Sequence, residues 1–266
     1  METVADDAKS RTEFAIHLAR MAGEVLMTYF RKQMRIDFKG SGNLVSEADV
    51  ESEHRIIQMI QSQFPQDAVI AEEKHAVHQQ AESLWIIDPL DGTNNFAHGI
   101  AHFAVSIAYY NRGIAQCGVV FNPSRDELFV AFRNGGAFRN GEPLHVADLQ
   151  SLDQSLIATG FYYDRGEMMR RTLRTIESLF GKGIHGIRRF GAASLDLCGV
   201  AAGEYGGFFE YYLAPWDFAA GKLIVEEAGG VVTDCSGHPL GTTASPLLAT
   251  NGNLHHAIIE LIAAVP

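Results

Sequence analysis

Leu84-Trp85-Ile86-Ile87-Asp88-Pro89-Leu90-Asp91-Gly92-Thr93-Asn94-Asn95-Phe96 is the stretch whose reading decides the fold. Leu84 to Ile87 is a continuous apolar run with an aromatic and two β-branched residues, which reads as a strand buried on both faces. Pro89 has no N–H for a sheet ladder, so the sheet is expected to stop there and hold Asp88 and Asp91 at the strand's carboxyl edge. Gly92 then permits a close backbone turn, and Thr93 or Asn94 is the expected N-cap of a short helical turn. Asp, Pro and Gly also make ordinary turns, so the stretch alone leaves both readings open.

Two acids three residues apart at a strand end suit a hard divalent cation, which takes oxygen ligands. The N–H groups of Gly92, Thr93 and Asn94 face the same mouth and suit a phosphate oxygen. The pattern of strand running into acids recurs upstream, where Ala68 to Ala71 ends at Glu72-Glu73. It recurs in another form at Pro215-Trp216-Asp217-Phe218-Ala219-Ala220-Gly221, which opens a helix with an acid in its first turn and small residues for close helix approach. Taken singly, paired acids fit a solvated loop and Asp217 fits a cap. Together, Glu72, Asp88, Asp91 and Asp217 form a set that repels itself unless cations join it, as in a two-metal clamp on a phosphoryl group.

The remaining chain frames this set. Phe14, Leu18, Met21, Val25 and Tyr29 mark an amphipathic helix from about Thr12 to Arg31, and a polar loop from Phe38 to Asn43 follows. Ser46 is the expected cap of a second helix to about Phe64, with Asp49 in its first turn. Runs at Val105 to Tyr110, Ile114 to Phe121 and Glu127 to Phe132, separated by turn residues, predict an antiparallel meander. Beyond about Val146 the pattern is α/β: strands at Ser155 to Ala158, Ile187 to Phe190 and Phe208 to Tyr212 alternate with helices at Glu167 to Phe180, Ala193 to Ala202 and Asp217 to Ala228. The expectation is one catalytic unit of two packed lobes, residues 1–146 (α+β) and 147–266 (α/β), with the boundary between Pro143 and Ser151.

Composition narrows the function. The chain has 266 residues, 47% of them hydrophobic, and a formal charge of -11, which argues against a general nucleic-acid or membrane-surface binder. Three cysteines without CxxC spacing, a polar N-terminus unlike a secretory signal and no bilayer-length apolar run fit a cytoplasmic protein. The eleven histidines, among them His75, His78, His98, His102, His255 and His256, show no convergent metal spacing. Gly181 to Gly186 matches GxGxxG but precedes a strand and reads as a loop. Oxygen-only ligation points to Mg2+, with Mn2+ as the alternative, rather than zinc.

These residues resemble the inositol monophosphatase family, within the magnesium-dependent, lithium-sensitive phosphatases. The resemblance is carried by Glu72-Glu73, by Trp85 to Phe96, by Trp216 to Gly221, and by the Leu44 to Asp49 segment and the Gly191-Ala192-Ala193 turn, in order along essentially the whole chain. It implies a layered α-β-α-β-α sandwich, homodimers, and two or three Mg2+ ions. By the resemblance, Glu72, Asp88, Asp91, Asp217 and the Leu90 carbonyl are metal ligands. Glu72 and Thr93 position and deprotonate a metal-activated water, and Asp49 accepts the Thr93 hydroxyl proton. The Gly92 and Thr93 N–H groups hold the phosphate, Gly191, Ala192, Ala193 and Glu210 face the alcohol part of the ester, and Leu90, Asp91 and Asp217 are implied to touch the substrate as well. Ser46 and Leu90 stand where relatives often carry threonine and isoleucine, without consequence for these roles.

The expected reaction is hydrolysis of a polyol phosphate, with myo-inositol 1-phosphate first. Histidinol phosphate, fructose 1,6-bisphosphate and 3′-phosphoadenosine nucleotides are the rival esters. A regulatory binding protein on the same fold is the non-enzymatic rival. A small phosphate ester is the expected partner, with neither nucleic acid nor membrane.

Overall fold

The computed structural model describes residues 2–32, 36–38, 44–73 and 82–265, with side chains for 9–32, 47–73 and 82–265. Along the chain run α1 (Glu2–Tyr29), β1 (Ile36–Phe38), β2 (Leu44–Ser46), α2 (Glu47–Gln63), β3 (Ala68–Ala71), β4 (Ser83–Asp91), α3 (Thr93–Ala97), β5 (Ala104–Asn111), β6 (Ile114–Asn122), β7 (Glu127–Phe132), β8 (Gly136–Arg139) and β9 (Glu142–Pro143). There follow β10 (Leu156–Thr159), α4 (Glu167–Gly181), β11 (Gly186–Arg188), α5 (Ala193–Ala201), β12 (Gly207–Leu213), α6 (Pro215–Glu227), β13 (Val231–Thr233), β14 (Ser245–Thr250) and α7 (His255–Ala263). Strands β3 to β9 form a seven-stranded sheet in sequence order, and the five-stranded sheet has the order β11-β10-β12-β14-β13.

Burial explains the layering. Trp85 and Ile87 on β4 face a core that includes Leu18 and Leu26 of α1 and Ile56 and Ile60 of α2. Ile86, pointing the other way, joins a second core with Leu197 of α5, Phe218 and Ile224 of α6, and Phe208 and Leu247 of the smaller sheet. Phe209, Ile157 and Leu248 face a third core with Leu179 of α4 and Ile258 and Leu261 of α7. The order of layers is therefore α1/α2, large sheet, α5/α6, small sheet, α4/α7, the expected α-β-α-β-α sandwich. Each fully buried Leu, Ile or Phe in these cores adds about 1.5–3 kcal/mol of transfer free energy. The strand read as buried on both faces is so because its alternate side chains serve two cores.

Three local expectations change. First, the sheet does not stop at Pro89. β4 pairs with β3 only over Leu84 to Ile87, and its register with β5 shifts between Asp88 and Asp91. Pro89 sits in that bulge, where its missing N–H costs no ladder bond. Second, the N-cap of α3 is Gly92, in the left-handed region, rather than Thr93 or Asn94, and no side chain caps the helix. Third, α1 starts about ten residues before the expected Thr12, because Glu2 to Arg11 contains neither Gly nor Pro to stop it. The Ser46 side chain, the loop at 39–43, His75 and His78 lie outside the described residues.

Arg11 of α1 forms an ion pair with Asp67, whose Oδ2 also accepts the Trp85 indole N–H at 2.8 Å. This buried pair, with Arg11 stacked on Phe64 at 3.6 Å, anchors α1 to β4. Across the chain's midpoint, Asn251 Nδ2 donates to the carbonyls of Ala147 and Leu149, each at 2.8 Å, tying the segment between the sheets to the end of β14. The three cysteines are buried and unpaired.

Candidate active site

The site is built from the end of β4. Asp88 Oδ1 accepts the Leu90 N–H at 3.0 Å, a local turn that fixes the carboxyl while the bulge carries Leu90 past it. Gly92 has φ 88°, and a Cβ there would come within 3.0 Å of the His102 carbonyl and 3.2 Å of the Ala192 Cβ, so only glycine fits the turn. The turn sets Thr93 at the start of α3. Its hydroxyl lies 3.0 Å from the Leu90 carbonyl and 3.3 Å from Asp49 Oδ1. Asp49 comes from the first turn of α2 and is fully buried.

Two further elements converge on these residues. Asp91 Oδ2 accepts the Ser194 N–H at 2.8 Å and the Ser194 hydroxyl at 2.5 Å, so an acid of the large sheet meets the positive end of α5. Asn95 Nδ2 bridges the carbonyls of His102 and Phe190, each at 2.8 Å, and clamps α3 to the Gly191 turn. Asp217, third in α6, accepts the Ala214 N–H at 2.7 Å, which turns its carboxyl back over the helix start. On β12, Glu210 is 9% exposed. It lies so close to Gly160 that a Cβ at that position would sit 1.8 Å from Oε2.

Glu72, Asp88, Leu90, Asp91, Gly92, Thr93, Gly191, Ala192, Ala193, Glu210 and Asp217 all line one cleft of about 310 Å³. Asp49 stands behind it, against Thr93. The side chains at 72, 88, 91 and 217 thus reach one space from three separate places in the chain, the end of β3, the bulge of β4 and the start of α6. Their fields overlap. Burial first, then the charges of Glu72, Asp91 and Asp217, pushes the Asp88 carboxyl well above the usual carboxylate range. Asp217 is raised well above it by burial, Asp91 and Glu72, and Asp91 is raised by burial against the opposing hydrogen bonds of Ser194.

Among the described residues, no three His, Cys, Asp or Glu side chains are drawn together tightly enough to form a ligand set as they stand. The chemistry of the donors nonetheless fits one kind of ion. The side chains are carboxylates with a backbone carbonyl beside them, and among the described residues no sulfur or imidazole donor lines the cleft, which suits Mg2+ or Mn2+ and disfavours zinc. A divalent cation also relieves the mutual repulsion that raises Asp88 and Asp217.

Several lining residues were not singled out from the sequence. Asp196 of α5 is 1% exposed, and its Oδ1 has no hydrogen-bond partner. Burial, then Asp91, raises its carboxyl well above the usual range. An acid inside an otherwise apolar helix, Leu195-Asp196-Leu197-Cys198, was the available signal. Ser194, which holds Asp91, carried no signal of its own. Arg189 and the aromatic residues Phe161, Tyr162, Tyr163 and Tyr212 reach the cleft through tertiary packing that no local pattern announces.

The chain is 39% identical over 270 residues to an inositol-1-monophosphatase of Synechocystis, covering 98% of this chain and 91% of that protein. It is 40% identical over 258 residues to the Nus factor SuhB of Pseudomonas aeruginosa, covering 93% and 94%. An inositol monophosphatase structure from Anabaena superposes with a TM-score of 0.87 at 38% identity, over 98% of each chain. The layered fold, the acid-lined cleft and these likenesses place the molecule in the class of phosphatases acting on small phosphate esters. The model of the inositol monophosphatase family matches residues 7–266, and the chain belongs to that family.

Proposed function

We propose that this phosphatase hydrolyses the phosphate monoester of a polyol, with myo-inositol 1-phosphate the first candidate, in a Mg2+-dependent reaction. One observation carries the reading: acids suited to a cation, backbone N–H groups suited to a phosphate and a buried hydroxyl acceptor share one cleft. Glu72, Asp88, Asp91, Asp217 and the Leu90 carbonyl would hold the cation. When bound, it supplies charge for the phosphoryl oxygens and makes water a better nucleophile near neutral pH. Gly92 and Thr93 present their N–H groups to a phosphate oxygen at the start of α3. Thr93 and Glu72 orient the nucleophile, and Asp49 fixes the Thr93 hydroxyl. Glu210 receives hydroxyls of the alcohol and rejects esters that lack them.

The test is phosphate release with and without Mg2+ from inositol 1-phosphate, histidinol phosphate, fructose 1,6-bisphosphate and a 3′-phosphoadenosine nucleotide. The expected order puts the inositol ester first, and Asp91→Asn removes most of the turnover. Full activity of that variant in the absence of added metal defeats the mechanism. The likeness to a protein named a Nus factor supports a second reading, a regulatory binding role on the same fold. Cellular rescue by an Asp88→Asn protein that has lost turnover would favour it.

A further inference from the structure

The wall of the cleft facing the acids is made by two segments, and it changes character from its depth to its mouth. At depth, Gly160 lets the Glu210 carboxyl lie against its backbone. At the mouth, Tyr162 and Tyr212, each two residues further on, meet with ring centroids 4.4 Å apart. Tyr163 packs edge-on against Tyr162 at 5.7 Å, and its hydroxyl accepts from Asn94 Nδ2 at 3.4 Å, which ties the aromatic group to α3.

The placement of Tyr212 comes from β12. Phe209 and Tyr211 on that strand enter the outer core, and the register with β14 shifts between Glu210 and Leu213. Successive side chains of a strand point to opposite faces, so Tyr212 shares the cleft side of β12 with Glu210. Tyr162 is 39% and Tyr212 37% exposed. Two large rings held against each other at the lip of a polar cleft are a standing apolar surface beside a hydroxyl acceptor.

We infer that Tyr162 and Tyr212 form a stacking platform for the ring of the substrate alcohol, so that the site prefers esters of cyclic polyols to open-chain ones. This rests on the phosphatase reading above. A cyclic polyol is amphipathic: its C–H face is apolar and its rim carries hydroxyls. The platform takes the face while Glu210 takes the rim. Tyrosine suits this role because it offers a large rigid contact with few rotors to freeze. An open-chain polyol presents no flat face and loses more internal rotation on binding. A purine ring also stacks on tyrosine, but the carboxyl of Glu210 on this wall and that of Asp196 from α5 match a ring edged with hydroxyl donors.

The experiment measures kcat and KM with Mg2+ for inositol 1-phosphate, glycerol 1-phosphate and adenosine 2′-monophosphate. It compares the wild type with Tyr212→Ala, Tyr162→Ala and Tyr212→Phe. Each alanine variant is expected to raise KM for the inositol ester by about tenfold, the fold-change of one good aromatic contact, with kcat little changed. KM for the glycerol ester stays within about twofold under the same estimate, and Tyr212→Phe, which keeps the ring, behaves as wild type. Equal KM shifts for the inositol and glycerol esters, or no shift for the inositol ester, overturn the platform while leaving the phosphatase reading intact. A loss confined to the nucleotide overturns the polyol assignment. Absence of wild-type turnover on all three esters defeats the phosphatase reading and takes the platform with it.

Discussion

A threonine hydroxyl has one proton, and Thr93 has two acceptors for it, the Leu90 carbonyl at 3.0 Å and Asp49 Oδ1 at 3.3 Å. Either choice leaves the oxygen's lone pairs free to accept from a nucleophile, which is what a positioning hydroxyl needs. Thr93→Val keeps the volume and loses the hydroxyl, so kcat is expected to fall at least about 10²-fold with KM little changed, while Thr93→Ser retains most activity. A parallel rise in KM instead would assign Thr93 to ground-state binding. Glu210 makes a second prediction at this scale. Burial first, then the field of Asp196, pushes its carboxyl up to about 8 against the opposing Arg189 guanidinium. Below the ordinary glutamate range folded and unfolded chains both hold this proton, and its contribution to stability is fully present. Between that range and about 8 only the folded chain holds it, so the contribution drains away as pH rises. Glu210→Gln has no such proton. In cation-free protein, the wild-type melting temperature should therefore drop relative to the variant from about pH 5 to about pH 8.5, and parallel curves would refute the shift.

At the scale of elements, the site depends on backbone approaches that side chains forbid. Gly160→Ala places a carbon where the Glu210 carboxylate lies, so the carboxyl must swing away. KM for the polyol ester should rise about tenfold with stability lowered only modestly, as for one lost hydroxyl acceptor. An unchanged KM would show that Glu210 does not read the alcohol. Gly92→Ala forces an alanine to φ 88° beside the His102 carbonyl. A loss of at least about 1–2 kcal/mol in a denaturant titration is expected, with α3 displaced and turnover lost. The sequence made β4 and α6 legible because both carry strong local signals, an apolar run broken by acids and a Pro-Trp-Asp helix start. It misled at Pro89, where a bulge absorbs the proline, and it gave no signal of β13 or β14. Val231 to Thr233 is too short for periodicity, and Ser245 to Thr250 contains Pro246 although it lies inside the small sheet. The acids were readable because strand ends and helix starts expose them in pattern. Ser194 and the tyrosines were not, because only the packing of α5 and β12 against the large sheet brings them to the cleft, and Asp196 showed only as an acid in an apolar helix.

The whole molecule places its acids where layers meet. Glu72 follows and Asp91 ends a strand of the large sheet, Asp88 lies at the bulge of β4, and Asp217 is in the first turn of a helix of the layer between the sheets. A cation in the cleft therefore binds across layers that otherwise adhere through apolar contacts, in a chain that already carries a formal charge of -11. Asp88 and Asp217, raised by burial first and then by the neighbouring acids, make the cation-free protein less stable near neutral pH than its core alone allows. A ligand that binds only the folded chain adds about 2.7 kcal/mol at a hundred times its Kd, which for a chain of this size raises the melting temperature by several degrees. Titration with Mg2+ should show that rise, while NaCl at matched ionic strength should not, since general screening leaves buried groups nearly untouched. The gain should shrink as pH falls, because protons compete with the cation for the raised carboxyls. Asp88→Asn removes one of the mutually repelling charges, so the cation-free variant should melt at or above the wild type at neutral pH and respond less to Mg2+. A melting temperature flat across the titration in the wild type, or an undiminished response in Asp88→Asn, would mean that the acids of the cleft do not share an ion.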